Sequence, residues 1–484
     1  MDNTPFTLKF LWIFLLVCLS TSCSSAFSNE SLTATGHFSI LWGDKFTSPS
    51  NQSTRYFLND EAGASVELFI DSTVAENASG ILSLNGRMVV VTYTKSSSML
   101  RSKTPLIEAE HIEPLDMSSD TARVEAAATG PQPWVTIMCK FSDESSEPKN
   151  LGYFSDMYSS SYPGLDHYWR EASYNRVSIS GSDAFGWFRL PQPRSYYVYD
   201  NNGDGSIDLD FDRITSDCTG TADAQIYFPD YVGINMMFND DLDGYAWGGT
   251  QFINIDGKYQ RYRVTWEPPW GYEDLTVIAH EMGHGFGMPH SSGNYGATYD
   301  NVWDVMSSAW ANCNASRHPK YGCLGQQTIG YHRDLVGWLE ADETFVFNGT
   351  TQSITLERLT KPASENYLYA IIPINDSTSH FYTVEVRKRV GYDIKLISNA
   401  VIIHEVNTTR SRPAYVVDID NNGSTGDAGA IWEVGETFSD VKNNVCVKIL
   451  SAEATSYNIQ IGCQAQLPLS TMAPLTRVIH LLLH

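Results

Sequence analysis

The rhythm of apolar and polar positions changes along the chain. Between residues 27 and 100 the apolar runs are short or alternating, as in Ser65-Val-Glu-Leu-Phe-Ile70 and Met88-Val-Val-Val-Thr-Tyr-Thr94. Their β-branched and aromatic content predicts strands. From Lys95 to about Gln132 the sequence turns to Ser, Thr, Ala, Glu and Pro with weak periodicity, which predicts a solvated linker and a domain boundary. Trp134-Val-Thr-Ile-Met-Cys139 then reads as a buried strand opening a second domain of mixed helix and strand signals, ending near Trp338. Beyond it, Tyr367-Leu-Tyr-Ala-Ile-Ile372, Phe381-Tyr-Thr-Val-Glu-Val386 and Ala400-Val-Ile-Ile-His404 predict a β-rich third domain closing with Tyr457-Asn-Ile-Gln-Ile461.

The two ends are apolar in different ways. Lys9, an apolar run from Phe10 to Leu19, and small residues ending Ser24-Ser25-Ala26 predict a signal peptide over residues 1–26. The run is about half the roughly 20 residues needed to cross a bilayer, so no stable membrane insertion is expected. The tail 464–484 ends in Arg477-Val-Ile-His-Leu-Leu-Leu-His484, too short and interrupted to span, and carries no assigned role.

Composition narrows the function classes. A chain of 484 residues exceeds what one core organises, and 42% hydrophobic content argues for folded domains. A formal net charge of −24 repels phosphate backbones and anionic headgroups, which argues against nucleic acid and membrane surfaces as partners.

With Cys18 and Cys23 in the signal, six cysteines remain: Cys139, Cys218, Cys313, Cys323, Cys446 and Cys463. An even count in an exported chain favours disulfides. Cys313–Cys323 and Cys446–Cys463 would each close a short loop within one domain, leaving Cys139 with Cys218. Asn-x-Ser/Thr triplets at Asn29, Asn51, Asn77, Asn314, Asn348, Asn375, Asn407 and Asn422 are candidate glycan acceptors.

The segment Gly271 to His290 reads GYEDLTVIAHEMGHGFGMPH. A helix through Leu275 to His284 would place His280 and His284 on one face, where both imidazoles reach one ion. Glu281 would point about 100° round the helix, towards a water held at that ion. Gly285 and Gly287 stand where the helix should stop and the chain reverse, returning His290 as a third ligand. Three neutral imidazoles make an open zinc site, in which the metal acidifies a water and Glu281 takes its proton. His-Glu-x-x-His-x-x-Gly-x-x-His is complete in one stretch, which separates it from chance His-Glu-x-x-His strings.

At these residues the chain resembles the metzincin clan of zinc peptidases. Trp303-Asp-Val-Met306-Ser follows the third histidine at a distance suited to the clan's methionine turn, and the resemblance implies Met306 as an apolar floor under the imidazoles. Within the clan it is most similar to gametolysin-type and immune-inhibitor-A-type peptidases. That likeness is carried by Tyr168 to Ser180 with Gly186-Trp-Phe-Arg-Leu-Pro191, by Ile329 to Trp338, and by Asp427 to Phe438. His290 sides with the gametolysin type, since the other type commonly has Asp there. The resemblance covers most of 134–463. The tyrosine that many relatives carry two residues after the turn methionine is replaced by Ser308, and Tyr295 and Tyr299 are weak substitutes.

Asp200-Asn-Asn202-Gly-Asp204-Gly205-Ser-Ile-Asp208 matches the start of a calcium loop, with Asp200, Asn202, Asp204 and Asp208 as candidate ligands, although Phe211 stands where a bidentate carboxylate is usual. Asp418, Asp420 and Asn422 read instead as a polar turn.

The expected architecture is therefore an α/β (α+β) metzincin-like catalytic domain over 130–340. A β-rich N-terminal domain and linker, a candidate propeptide, occupy 27–129, and a β-rich C-terminal domain occupies 341–463. The expected activity is that of a secreted zinc endopeptidase acting on extracellular or matrix proteins, with Zn2+ and candidate Ca2+ as cofactors and a protein or peptide substrate as partner. The alternative from another class is a secreted calcium- or glycan-binding adhesion protein with a structural zinc; a general base beside an open coordination position argues against it. If the N-terminal domain keeps the enzyme latent, it must do so through an oxygen ligand or steric cover, because no cysteine lies between Ala26 and Cys139.

Overall fold

The structure, a computed structural model, describes residues 31–463 except 48–49, 62, 78–79, 95–97, 100–105, 116–127, 201–204, 294, 296 and 314–316. The expected signal peptide and the 464–484 tail lie outside the described residues. The described chain is a mixed α/β protein, rich in strands and carried on several sheets with few helices.

The largest sheet joins the first two expected domains. Asp183–Arg189, Trp134–Lys140, Gly233–Phe238 and Lys258–Glu267 run parallel in that order, and Ala246–Ile255 closes the series antiparallel to Lys258–Glu267. The two central parallel strands, Trp134–Lys140 and Gly233–Phe238, are buried along nearly their whole length, as a sheet covered on both sides requires. Trp134, Val135, Ile137 and Met138 are all fully buried, divided between two cores.

Ala246–Ile255 would be the edge of that sheet, but Ser31–Lys45 pairs with it antiparallel, Leu41 opposite Gly249 and Asp44 opposite Ala246. The sheet thus crosses the boundary expected near residues 95–132. The same long strand also pairs with Asn51–Asn59 and Met88–Thr94, around a small core of Phe38, Ile40, Trp42, Val89 and Val91. Within the stretch expected as linker, Leu106–Glu108 and His111–Pro114 are strands. Ile112 is buried opposite Val91, so one well-placed apolar residue suffices where periodicity is too short to read.

One face of the parallel sheet carries the Leu165–Ala172 and Leu275–Gly285 helices, packed through Trp169, Leu275, Ile278, Ala279, Met282 and Phe286. Past Trp338 two antiparallel-rich sheets stack. Val384, Val386, Val401 and Ile403 of one meet Val447, Ile449, Ile459 and Ile461 of the other. Ser292–Gly293, just after His290, pairs with Tyr415–Val416, which ties the histidine-bearing segment to the C-terminal sheet.

The disulfides join Cys139–Cys218, Cys313–Cys323 and Cys446–Cys463. Among the described residues no helix is long and apolar enough to cross a membrane.

Candidate metal centre

The Leu275–Gly285 helix starts without a side-chain cap on its own amides. The Leu275 and Thr276 N–H groups donate instead to the Tyr321 and Cys323 carbonyls, and Asp274 Oδ1 accepts from the Cys323 amide at 2.7 Å. The Cys313–Cys323 loop therefore satisfies orphan donors that the helix itself leaves open. At the other end the helix runs through Gly285, and the positive φ falls at Gly287 (95°), not at both glycines. The Met288 amide returns to the Gly283 carbonyl, which turns the chain so that His290 faces the helix.

His280, His284 and His290 are brought together, all buried. Their Nε2 atoms lie 3.1 Å (His280 to His284), 3.1 Å (His284 to His290) and 3.4 Å (His280 to His290) apart. His280 Nδ1 lies 2.6 Å from the Val305 carbonyl and His284 Nδ1 2.8 Å from the Met288 carbonyl. A carbonyl only accepts, so each Nδ1 carries the proton and each Nε2 presents a bare lone pair. Burial, with His290 next to it, pushes His284 down to about 3, which keeps that imidazole neutral.

A fourth group completes the cluster. Asp44, buried at the end of the Ser31–Lys45 strand, sets Oδ2 3.1 Å from His280 Nε2, 3.3 Å from His284 Nε2 and 3.1 Å from His290 Nε2. All six separations among these four atoms thus fall between 3.1 and 3.4 Å. Zinc–nitrogen and zinc–oxygen bonds of about 2.0–2.2 Å in tetrahedral array give ligand–ligand edges of about 3.3–3.5 Å. With bare Nε2 lone pairs on His280 and His284 facing a buried carboxylate, a cation at the centre of the cluster would relieve their repulsion, so the donor set fits a divalent metal. Although burial favours the neutral acid, His290 and His280 hold the Asp44 carboxyl well below the usual carboxylate range.

Glu281 is fully buried, and among the described residues neither carboxyl oxygen has a hydrogen-bond partner. Burial, then Asp44 and Glu267, push its carboxyl well above the ordinary range. Met306 lies beneath the helix against Gly283, whose missing side chain leaves room for the thioether. The turn holding it is fixed from below by Asp304, which accepts from Ser291 Oγ at 2.6 Å, Thr328 Oγ1 at 2.9 Å and the Met306 amide at 3.1 Å, and pairs with His332 at 3.1 Å.

Aromatic groups enclose the imidazoles. Trp42 stacks on His284 at 4.8 Å and 12°, and Phe46 meets His280 edge-on at 5.1 Å. Tyr299 Oη has one proton to share between Asp44 Oδ1 at 3.0 Å and the Asn51 carbonyl at 2.6 Å, and accepts from the Lys45 amide at 3.0 Å. Sequence reasoning named Tyr299 only as a weak substitute and missed Asp44, Trp42 and Phe46. No local motif marks these three, which reach the site through strand pairing over some 200 residues of chain.

The other expected loop is only partly described. Asn202 and Asp204 lie outside the described residues; Asp200 Oδ2 accepts from the Gly205 amide at 3.1 Å, and Asp208 lies in the short Asp208–Leu209 strand. The Asp418 segment is a polar turn, with the Asp420 amide on Asp418 Oδ1 and the Asn422 amide on Asp420 Oδ1. It also brings carboxylate oxygens of Asp418, Asp420 and Asp427 within 4.8 Å of one another.

No family model matches the chain, and neither does any curated protein. Among solved structures, catalytically inactive OgpA from Akkermansia muciniphila, in complex with an O-glycopeptide substrate, is similar at 10% identity. That match covers 59% of this chain and 83% of the other at a TM-score of 0.25, a likeness that carries no argument about function.

Proposed function

We propose that the chain is a secreted zinc endopeptidase of metzincin type, similar to the gametolysin and immune-inhibitor-A peptidases. The observation that supports this most is the convergence of three imidazole Nε2 atoms beside Glu281, whose carboxyl oxygens have no hydrogen-bond partner among the described residues. His280, His284 and His290 would hold the metal. Zinc bound there supplies a Lewis acid that polarises a scissile carbonyl and acidifies a water.

The protein's own groups divide the remaining work. Glu281, one helix position from His280, has both oxygens free to accept the proton of the attacking water and to return it to the leaving amine. Val305 and Met288 carbonyls fix the tautomers of His280 and His284, so neither ring has to reorganise during turnover. Ala246–Ile255 runs beside the site with that edge paired to Ser31–Lys45, and an extended peptide would pair there only in place of that strand.

The test compares Glu281→Ala and His290→Ala by metal analysis and peptide cleavage, in protein from which the N-terminal segment no longer covers the site. Glu281→Ala should keep near-stoichiometric zinc and lose about 10²–10⁴-fold in hydrolysis, the usual range for general-base catalysis. His290→Ala should lose zinc affinity. Full activity with Glu281 removed would sink the mechanism, and would leave a structural zinc as the better account.

A further inference from the structure

We propose that Asp418, Asp420 and Asp427 form a second metal site, one that takes a calcium ion and braces the turn beneath the histidine cluster. This site does not depend on the peptidase reading above.

The loop turns three carboxylates onto one point. Asp418, Asp420 and Asn422 alternate along the chain, and Asp427 returns to them, so that one oxygen from each of the three Asp residues lies within 4.8 Å of the others. Two calcium–oxygen bonds of about 2.3–2.6 Å span about 4.6–5.2 Å, so a single calcium can reach all three. Gly429 makes the approach possible, because a Cβ there would collide with Asp418 Oδ1 and Asp420 Oδ1.

The burial of Asp418 separates this cluster from an ordinary acidic surface loop. Asp418 is only 5% exposed, and its Oδ2 has no hydrogen-bond partner among the described residues. The bonds that the three carboxylates do accept come from neutral groups. Asp418 Oδ1 takes the Asp420 amide at 3.2 Å. Asp420 takes the Asn422 amide at 3.2 Å and Asn422 Nδ2 at 3.1 Å, and Asp427 takes Asn422 Nδ2 at 2.7 Å and the Gly429 amide at 3.1 Å. Burial, then Asp420 beside it, push the Asp418 carboxyl above its ordinary range. A buried carboxylate oxygen beside two further carboxylates is costly unless a cation joins them. The all-oxygen donor set is hard, which selects calcium over zinc, and ligands at alternate positions followed by Gly423 are the order of a calcium loop.

Thr425, between Asn422 and Asp427, connects the loop to the metal centre. Its carbonyl accepts from Trp303 Nε1 at 2.7 Å, and its hydroxyl accepts from the Val302 amide at 3.2 Å and donates to the Asp300 carbonyl. Trp303 opens the segment that reaches Met306 under the histidine-bearing helix. An ion that fixes Asp420 and Asp427 therefore holds Thr425 against that turn.

The experiment uses the full-length chain, dialysed free of calcium, with calcium alone as the probe. Equilibrium dialysis counts bound ions, and amide hydrogen exchange reports where they act. Asp420 is exposed and Asp427 is partly exposed, so Asp420→Asn and Asp427→Asn remove one charge each without disturbing a core. The wild type should bind one calcium that both variants lose or hold roughly 10-fold more weakly, since affinity follows the number of charged ligands. Calcium should slow exchange over residues 418–429 and 300–306 in the wild type and leave both stretches unchanged in the variants.

Equal calcium stoichiometry and affinity in the wild type and both variants would overturn the site, and would leave a proton shared by Asp418 and Asp420 as the better account. So would a bound calcium that disappears in Asp200→Asn and persists in both variants, because the ion would then belong to the Asp200 loop. Calcium binding with unchanged exchange over 418–429 would likewise reject it. None of these readouts uses hydrolysis, so the peptidase reading can fail while this site stands.

Discussion

Gly283 and Met306 meet beneath the histidine-bearing helix: a Cβ on Gly283 would overlap Met306 Sδ and come within 3.1 Å of its Cε. The helix can lie this low over the methionine turn only because residue 283 has no side chain. Gly283→Ala should therefore cost about 1–3 kcal/mol, the range for overpacking a tight core, despite alanine's better helix propensity. Met306→Ala combined with it should recover most of that loss. Denaturant unfolding of the four proteins gives the coupling directly, and strictly additive effects would show that the two residues do not bear on each other.

Asp304 should be as sensitive, for a different reason. Its buried carboxylate joins Ser291, next to the third imidazole, to the Met306 amide and to His332. Asp304→Ala leaves those donors unanswered in a dry interior, a loss of about 3–5 kcal/mol on the scale of broken buried pairs. Zinc affinity should fall with it, because Ser291 and Met306 would no longer be pinned. An unfolding midpoint and zinc affinity equal to wild type would remove the network from the site's support.

How far the sequence reaches into this structure depends on contact distance along the chain. His280, His284 and His290 lie within one helix and one turn, so their spacing alone brings them together. Met306 is 16 residues further on and is approached through a familiar turn. Asp44 lies 246 residues from His290, and only the pairing of Ser31–Lys45 with Ala246–Ile255 delivers it. The same strand joins one sheet to residues on both sides of the expected boundary, a pairing that leaves little trace in composition. The Asp418 loop taught the reverse: its turn chemistry was readable, but the approach of Asp427 is set by the chain's return at Gly429, whose missing Cβ admits Asp418 and Asp420.

Metal removal should destabilise the protein measurably. With the cation gone, the lone pairs of His280 and His284 and the buried Asp44 carboxylate face one another. Ligand linkage gives about 2.7 kcal/mol of stabilisation at 100 times the dissociation constant. Thermal melting should fall on chelation and climb with added zinc in proportion to the logarithm of its concentration. A melting temperature that ignores both treatments would contradict metal binding by the folded chain.

The acid limb of stability should carry the signature of His404. This residue sits buried in the Ala400–Asn407 strand with Nε2 3.3 Å from Asn301 Nδ2 and no partner at Nδ1. Burial pushes its pKa down to about 3; Asp304 opposes that, while Arg387 and His332 reinforce it. The folded value is thus depressed below the unfolded value of about 6.5. Above pH 6.5 both states are neutral and the group contributes full stability. Below it the unfolded chain takes up a proton that the folded chain refuses, and stability falls until the pH reaches about 3. The slope approaches about 1.4 kcal/mol per pH unit, or about 2 kcal/mol between pH 6.5 and 5. Other buried histidines add slopes of the same sign, so the informative comparison is with His404→Gln, which keeps an acceptor for Asn301 but cannot titrate. Its stability at pH 7.5 should be somewhat lower than wild type, and its decline between pH 6.5 and 5 shallower by the amount above. Parallel curves for the two proteins across that window would mean that His404 is protonated as readily in the fold as in the unfolded chain.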